Sequence, residues 1–125
     1  MTRDPGATVS DHGGELALAA LRPFGVDTMY TLSGGHVFPF YDAAVKRDPP
    51  VRIVDVRHEQ TATFAAEGHA RLTRGPGLAV LTAGPGITNG MSAVTQVTRP
   101  KREALWKFPC PRMGDHETPE LFFIA

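Results

Sequence analysis

Apolar residues recur in short blocks along the chain, and glycine, proline and polar residues stand between the blocks. Three blocks are continuous, mostly apolar runs, at residues 28–32, 51–56 and 78–82, and each predicts a strand that is buried on both faces. Four longer segments are rich in helix-forming residues, at residues 14–22, 37–45, 58–72 and 88–97, and each predicts a helix. Strands and helices therefore take turns from residue 12 to about residue 98.

This alternation predicts an α/β fold, with a parallel sheet covered by helices on both faces. In such sheets, ligands bind at the carboxyl ends of the strands. The strand-to-helix turns are therefore where function is expected, and the chain has three of them, at residues 33–36, 57–59 and 83–89.

The pattern changes near residue 97. We interpret residues 1–11 as a flexible leader and residues 12–98 as the ordered domain. No helical or alternating period runs through residues 99–125, which carry several prolines, so this tail is expected to be irregular.

Charge and composition limit the function classes. The 13 basic and 13 acidic residues give zero net charge, which argues against a role with nucleic acid or at a membrane surface. No apolar run approaches the ~18 residues that span a bilayer. The single cysteine, Cys110, excludes an internal disulfide and fits a cytoplasmic location. No metal site is predicted.

The first and third turns are rich in glycine. Gly34 and Gly35 allow the backbone to approach a ligand closely, and a tight turn without a ligand is the alternative. The third turn has two glycines around Pro85, and ordinary turn chemistry is again the alternative. Thr88 or Asn89 is expected to cap the helix that follows.

The second turn places a carboxyl group, that of Glu59, at the start of a helix directly after a buried strand. One explanation is electrostatic, because an acidic residue there complements the helix dipole by ~0.3–1 kcal/mol. The other follows from the small residues of this helix, which allow close packing: Ala62, Ala65, Ala66, Gly68 and Ala70. A carboxyl group at the start of a closely packed helix is partly desolvated, which favours a role in proton transfer.

Together, the turns resemble a known domain. The segments TLSGGH at 31–36, RHEQ at 57–60, AAEG at 65–68 and TAGPGITNG at 82–90 occur in the order and spacing of the N-terminal, pyrimidine-binding domain of thiamine diphosphate-dependent enzymes. The resemblance is to the acetolactate synthase-like branch, whose relatives include 2-hydroxyacyl-CoA lyases. It covers residues 12–96 and stops there, so the domain is expected to be truncated and its fold incomplete at the C-terminal end.

The resemblance implies a role for each turn. In the family, the glutamate matching Glu59 hydrogen-bonds the aminopyrimidine ring of the cofactor and relays the proton that activates the cofactor. The activated cofactor takes part in decarboxylation or carboligation of 2-keto acids, or in reactions of acyl-CoA type substrates. Four further residues match positions beside the cofactor: Gly34, Gly35, Pro85 and Asn89. His36 matches a position on the substrate side.

The resemblance also implies a partner. In the family, magnesium and the diphosphate are held by a domain that this chain lacks, since it has no Gly-Asp-Gly motif. A homo- or hetero-oligomer would complete the site, and the chain alone is expected to be inactive. Two alternatives stay open: a non-catalytic remnant or interaction module of the same fold, and an unrelated small α/β nucleotide-binding module. The absence of a phosphate-loop motif counts against the latter.

Overall fold

The computed structural model describes residues 12–97 and 121–124. Four α-helices and four strands alternate, with short 3₁₀ turns at Arg22–Phe24 and Gly35–Val37. The elements are α1 (Gly13–Leu21), β1 (Thr28–Thr31), α2 (Phe38–Lys46), β2 (Arg52–Asp55), α3 (Glu59–Thr73), β3 (Gly77–Val80), α4 (Pro85–Val97) and β4 (Leu121–Ile124). All seven elements predicted from the sequence are present.

The strands form one sheet in the order β2-β1-β3-β4, and every neighbouring pair is parallel. Met29 of β1 lies between Ile53 of β2 and Leu78 of β3. Parallel neighbours need crossover connections, which the helices supply. The prediction of a parallel α/β sheet is confirmed.

Helices cover both faces of the sheet, as predicted. Successive side chains of a strand point to opposite faces, so Met29 and Leu78 pack in one core with residues of α1 and α2. Tyr30 and Ala79 pack on the opposite face with residues of α3 and α4. The sheet therefore separates two hydrophobic cores, one on each face. The carboxyl ends of β1, β2 and β3 all lie at the same end of the sheet, which is called the carboxyl edge below.

Strand β2 differs from the prediction of a strand buried on both faces. Arg52 and Asp55 are exposed, and Ile53 and Val54 are only partly buried. The reason is its position at the edge of the sheet, which its apolar composition did not reveal. Val51 and Val56, which flank it, are buried.

Helix α3 lies unusually close to the sheet. Ala62, Ala66 and Ala70 lie on one side of the helix and have at most 2% of their surface exposed. A β-carbon added to Gly77 of β3 would lie 2.7 Å from the carbonyl carbon of Ala66. The close packing expected from the small residues of this helix is therefore realised within the chain, against β3.

Strand β4 corrects one expectation. Residues 99–125 were expected to be irregular, but Leu121–Ile124 forms a strand whose four residues pair in register with Gly77–Val80 of β3. A parallel partner satisfies backbone groups along the edge of β3, which local periodicity could not show. The leader at 1–11 and the remainder of the tail lie outside the described residues.

Candidate functional site at the carboxyl edge of the sheet

The three strand-to-helix turns meet at one edge of the sheet. A β-carbon added to Gly34, in the first turn, would lie 2.6 Å from the β-carbon of Thr82, the residue immediately before the third turn. The side chain of Asn89, the fifth residue of α4, hydrogen-bonds that of Glu59 at the start of α3. The structure therefore brings together the turns that the sequence singled out, although they are up to 56 positions apart in the chain.

Glu59 is the first residue of α3 and has only 7% of its surface exposed. His58 precedes it as the N-cap, and the ring Nδ1 of His58 accepts a hydrogen bond of 3.2 Å from the backbone N–H of Gln60. The hydroxyl of Thr63 donates to the carbonyl oxygen of Glu59 at 3.3 Å. The helix N-terminus thus fixes the backbone of Glu59, and its side chain is nearly buried.

The two carboxyl oxygens of Glu59 differ. Oε2 accepts a hydrogen bond from Nδ2 of Asn89 at 3.1 Å, whereas no described residue donates to Oε1. Among the described residues, the only fully enclosed polar side-chain atom without a partner is Nε of Arg47, so Oε1 keeps an opening. One oxygen is held by the protein and the other is available to a ligand.

The start of α4 differs from the prediction. Thr88 or Asn89 was expected to cap a helix beginning near residue 88, but α4 begins at Pro85. Gly84 precedes it with a φ of +76°, and the N–H of Thr88 bonds to the carbonyl oxygen of Gly84 at 3.3 Å. Proline suits the first helical position because its missing N–H would have no partner there. Asn89 therefore does not cap α4, and its side-chain amide bonds Glu59 instead.

Thr82 is a residue that the sequence analysis missed. A β-carbon on Gly34 would lie 2.6 Å from Cβ of Thr82, and a β-carbon on Gly86 would lie 2.6 Å from Cγ2 of Thr82. A β-carbon on Gly86 would also come within 3.5 Å of Oε1 of Glu59. The two glycines keep the first and third turns packed on Thr82, and Gly86 keeps space beside the free oxygen. The signal available in the sequence was the position of Thr82, between the end of β3 and the glycine-rich turn.

The remaining candidates lie at the surface of this edge. Gly35, His36 and Pro85 are exposed. A β-carbon on Gly35 would meet nothing within 4 Å, so no contact within the described part of the chain requires glycine there. The structure places these residues beside the site and assigns none of them a contact with Glu59.

A second polar cluster lies elsewhere, where α1 meets α2. Nε2 of His12 is 2.9 Å from Oδ2 of Asp42 and 3.7 Å from Oε1 of Glu15. Nδ1 of His12 accepts a hydrogen bond from the N–H of Glu15, which caps α1. The sequence could not indicate the contact between His12 and Asp42, because Asp42 is 30 positions away.

Lys46 completes this cluster, with Nζ 2.6 Å from Oδ2 of Asp42. Hydrogen bonds from His12 and then Lys46 hold the pKa of Asp42 below its ordinary value of 3.8. The hydrogen bond to Asp42 correspondingly raises the pKa of Lys46 above 10.5. The ligand types are those of a metal site, but the ammonium group and the helix cap already engage them. We therefore interpret the cluster as a link between α1 and α2.

No helix within the described part of the chain is long and apolar enough to cross a membrane.

Comparison with known proteins shows what the chain is similar to. Over 94 residues, the chain is 53% identical to a probable acetolactate synthase of Mycobacterium bovis and to the acetolactate synthase large subunit IlvG of Mycobacterium tuberculosis. These matches cover 75% of this chain and 17% of each relative. It is also 52% identical over 83 residues to 2-hydroxyacyl-CoA lyase 2 of Mus musculus, covering 66% of this chain and 13% of that protein.

The chain thus spans less than a fifth of the length of these relatives. Residues 11–102, well over half of the chain, match the family profile described as the N-terminal TPP binding domain of thiamine pyrophosphate enzymes. The match includes all three turns and the residues that meet at the edge of the sheet. The chain therefore belongs to the thiamine pyrophosphate enzyme family, as a member of its N-terminal TPP binding domain.

Proposed function

We propose that this chain supplies the aminopyrimidine-binding half of a thiamine diphosphate site, with Glu59 as the residue that bonds and protonates the ring. One observation carries the proposal: Glu59 has only 7% of its surface exposed, at the carboxyl ends of the strands, yet its Oε1 is not fully enclosed and has no donor among the described residues. A carboxyl oxygen that has an opening and no donor, in a nearly buried residue, can bond a ligand, and a ring nitrogen of the cofactor is a suitable partner.

The surrounding residues fit an aromatic ring with polar substituents. Gly86 leaves space next to Oε1 of Glu59. A β-carbon on Gly34 would lie 2.6 Å from the β-carbon of Thr82, so the backbone of the first turn packs closely beside the third turn. When bound, thiamine diphosphate supplies a carbon nucleophile and an electron sink.

The chain's own residues do the remaining work. Glu59 orients the ring by a hydrogen bond and can move one proton at Oε1. Burial of Glu59 limits competition from water for that bond. The N-terminus of α3 stabilises the negative charge left on the carboxylate after the proton has moved.

The names of the relatives suggest the reaction and its substrate. We infer decarboxylation or carboligation of a 2-keto acid, in the manner of an acetolactate synthase. The 2-hydroxyacyl-CoA lyases suggest an acyl-CoA type substrate as the alternative. Magnesium and the diphosphate would be held by another domain or polypeptide, so the working site needs a homo- or hetero-oligomer. We place this activity in the cytoplasm.

The test is a chimera. Residues 12–97 replace the matching segment of the Mycobacterium tuberculosis acetolactate synthase large subunit, with which the chain shares 53% identity. We expect the chimera to form acetolactate from pyruvate, and Glu59→Gln to lower kcat about 10²- to 10⁴-fold, the usual contribution of a positioned proton donor.

Glu67→Gln is the matched control, because Glu67 lies on the same helix but pairs with Arg71 away from the site. It should leave kcat within about twofold, since a surface ion pair contributes little. An active chimera in which Glu59→Gln keeps full activity would refute the role of Glu59. A folded chimera that binds no thiamine diphosphate would refute the proposal as a whole.

A further inference from the structure

We propose that Asn89 is a positioning residue for Glu59: it holds Oε2 of the carboxyl group so that Oε1 alone faces the cofactor. This inference rests on the proposed function. It differs from the expectation that Asn89 contacts the cofactor itself, because the structure directs the amide of Asn89 at the glutamate.

The first step is the symmetry of a carboxyl group. Its two oxygens are chemically equivalent, and rotation about the last side-chain bond of glutamate is broad. A single donor on one side removes that equivalence. Nδ2 of Asn89 lies 3.1 Å from Oε2, within the range of an ordinary hydrogen bond, so Oε2 is taken and Oε1 is left.

The second step concerns the proton. An oxygen that already accepts an N–H cannot at the same time point its own O–H along that direction. A proton on the neutral carboxyl group therefore sits on Oε1, the oxygen with an opening. When that O–H bond breaks and the proton passes to a ring nitrogen, the negative charge left behind is stabilised by the N–H of Asn89 at Oε2. Asn89 thus serves both protonation states of Glu59 without adding a charge of its own.

The third step is the rigidity of the support. Helices α3 and α4 are joined by a second hydrogen bond beside the first, from Nε2 of Gln60 to the hydroxyl of Ser92. The next residue after Asn89 is Gly90, whose added β-carbon would collide with the side chain of Leu81. Helix α4 therefore packs closely against Leu81 next to Asn89, and this packing fixes the backbone of Asn89 relative to Glu59.

This second bond also provides a matched control. Ser92→Ala removes a hydrogen bond between the same two helices, from the same face of α4, without touching Glu59. A role of Asn89 that consists only of joining the helices predicts similar effects for Asn89→Ala and Ser92→Ala. A positioning role predicts effects on ligand binding for Asn89→Ala alone.

The experiment uses the full chain labelled with ¹⁵N, titrated with thiamine diphosphate up to several millimolar and followed by NMR. In the free chain, Glu59→Ala should shift the side-chain NH₂ signals of Asn89 strongly. Glu59→Gln should shift them little, because the amide oxygen of glutamine can still accept the bond. If Glu59→Ala leaves these signals in place, the contact does not exist and the inference is overturned.

The titration then separates positioning from direct contact. We expect Asn89→Ala to raise the Kd for thiamine diphosphate about threefold, the loss of one modest hydrogen bond, and Ser92→Ala to leave it unchanged. In the Glu59→Ala background, Asn89→Ala should have no further effect, because the side chain through which Asn89 acts is missing. An equal weakening in both backgrounds would show that Asn89 contacts the ligand itself and would overturn the inference.

The two proposals fail differently. If the wild-type chain binds and Glu59→Gln weakens binding while Asn89→Ala does not, only the positioning role is wrong. If Glu59→Gln binds as tightly as the wild-type chain, or if neither the wild-type chain nor the folded chimera binds thiamine diphosphate, the proposed function fails and the positioning role fails with it.

Discussion

Replacing Gly77 with alanine would place a methyl group between strand β3 and helix α3 at their closest approach. The added carbon would lie 2.7 Å from the carbonyl carbon of Ala66 and closer still to its oxygen, whereas ordinary contact begins at 3.4 Å. The helix would have to retreat by at least about 0.7 Å, although Ala62, Ala66 and Ala70 seat it on the sheet.

The expected cost is large because the obstacle is backbone. Overpacking a core costs about 1–3 kcal/mol, and a main-chain obstacle cannot turn aside as a side chain can, so we expect about 3 kcal/mol. For a domain of this size, that lowers Tm by about 10 °C or more. Ala66→Gly should not rescue the variant, because removing the methyl group of Ala66 leaves its carbonyl in place.

Gly68→Ala is the matched control, since it makes the same substitution in the middle of α3, where an added β-carbon meets nothing within 4 Å. It should stabilise the chain by about 0.5–1 kcal/mol, the usual gain when alanine replaces glycine inside a helix. Thermal unfolding of the chain, followed by circular dichroism, measures the Tm of both variants. Equal Tm values for the two variants would refute the close approach of α3 to β3.

Three further predictions concern other parts of the structure. Deleting strand β4 leaves one edge of β3 unpaired, so its amide protons should exchange faster and the chain should self-associate more, as light scattering would show; unchanged exchange would argue against the pairing. Gly34→Ala drives a β-carbon into Thr82 and should weaken thiamine diphosphate binding by separating the first and third turns, whereas Gly35→Ala, with open space around it, should not; equal effects would contradict the packing. The NMR signal of the Asp42 carboxyl carbon should titrate with a midpoint below pH 3.8, and Lys46→Gln should raise that midpoint. Because the pKa of Asp42 is lower in the folded chain, its contribution to stability is present above the unfolded pKa and is lost as the pH falls through the folded pKa. A midpoint unaffected by Lys46→Gln would contradict the contact between the two side chains.

Much of the architecture follows from local patterns. Apolar runs separated by helix-forming segments determine a parallel sheet, because strands buried on both faces need helices on both sides. The strand-to-helix turns of such a sheet all lie at the carboxyl ends of its strands, so the position of Glu59, at the start of α3 and after the turn that follows β2, already indicated a site. These conclusions depend on neighbours within a few positions of one another, which is the range over which sequence patterns are informative.

Contacts between distant segments could not be read in this way. The apolar composition of β2 did not reveal that it forms the edge of the sheet, because strand order depends on which crossovers pack together. Four residues of an irregular-looking tail pair with β3 because that strand offers unpaired backbone groups. Asp42 reaches His12 across 30 positions for a similar reason: the packing of α1 on α2 brings them together.

The site itself shows the same division. The sequence by itself determined that a carboxyl group, several glycines and an amide lie in turns at the ligand-binding edge. Only the tertiary structure decided that Asn89 is not a helix cap but a donor to Oε2 of Glu59, and that Oε1 remains open. The physical reason is that a proline can begin a helix without an N–H partner, which moved the start of α4 to Pro85 and turned the side chain of Asn89 toward α3.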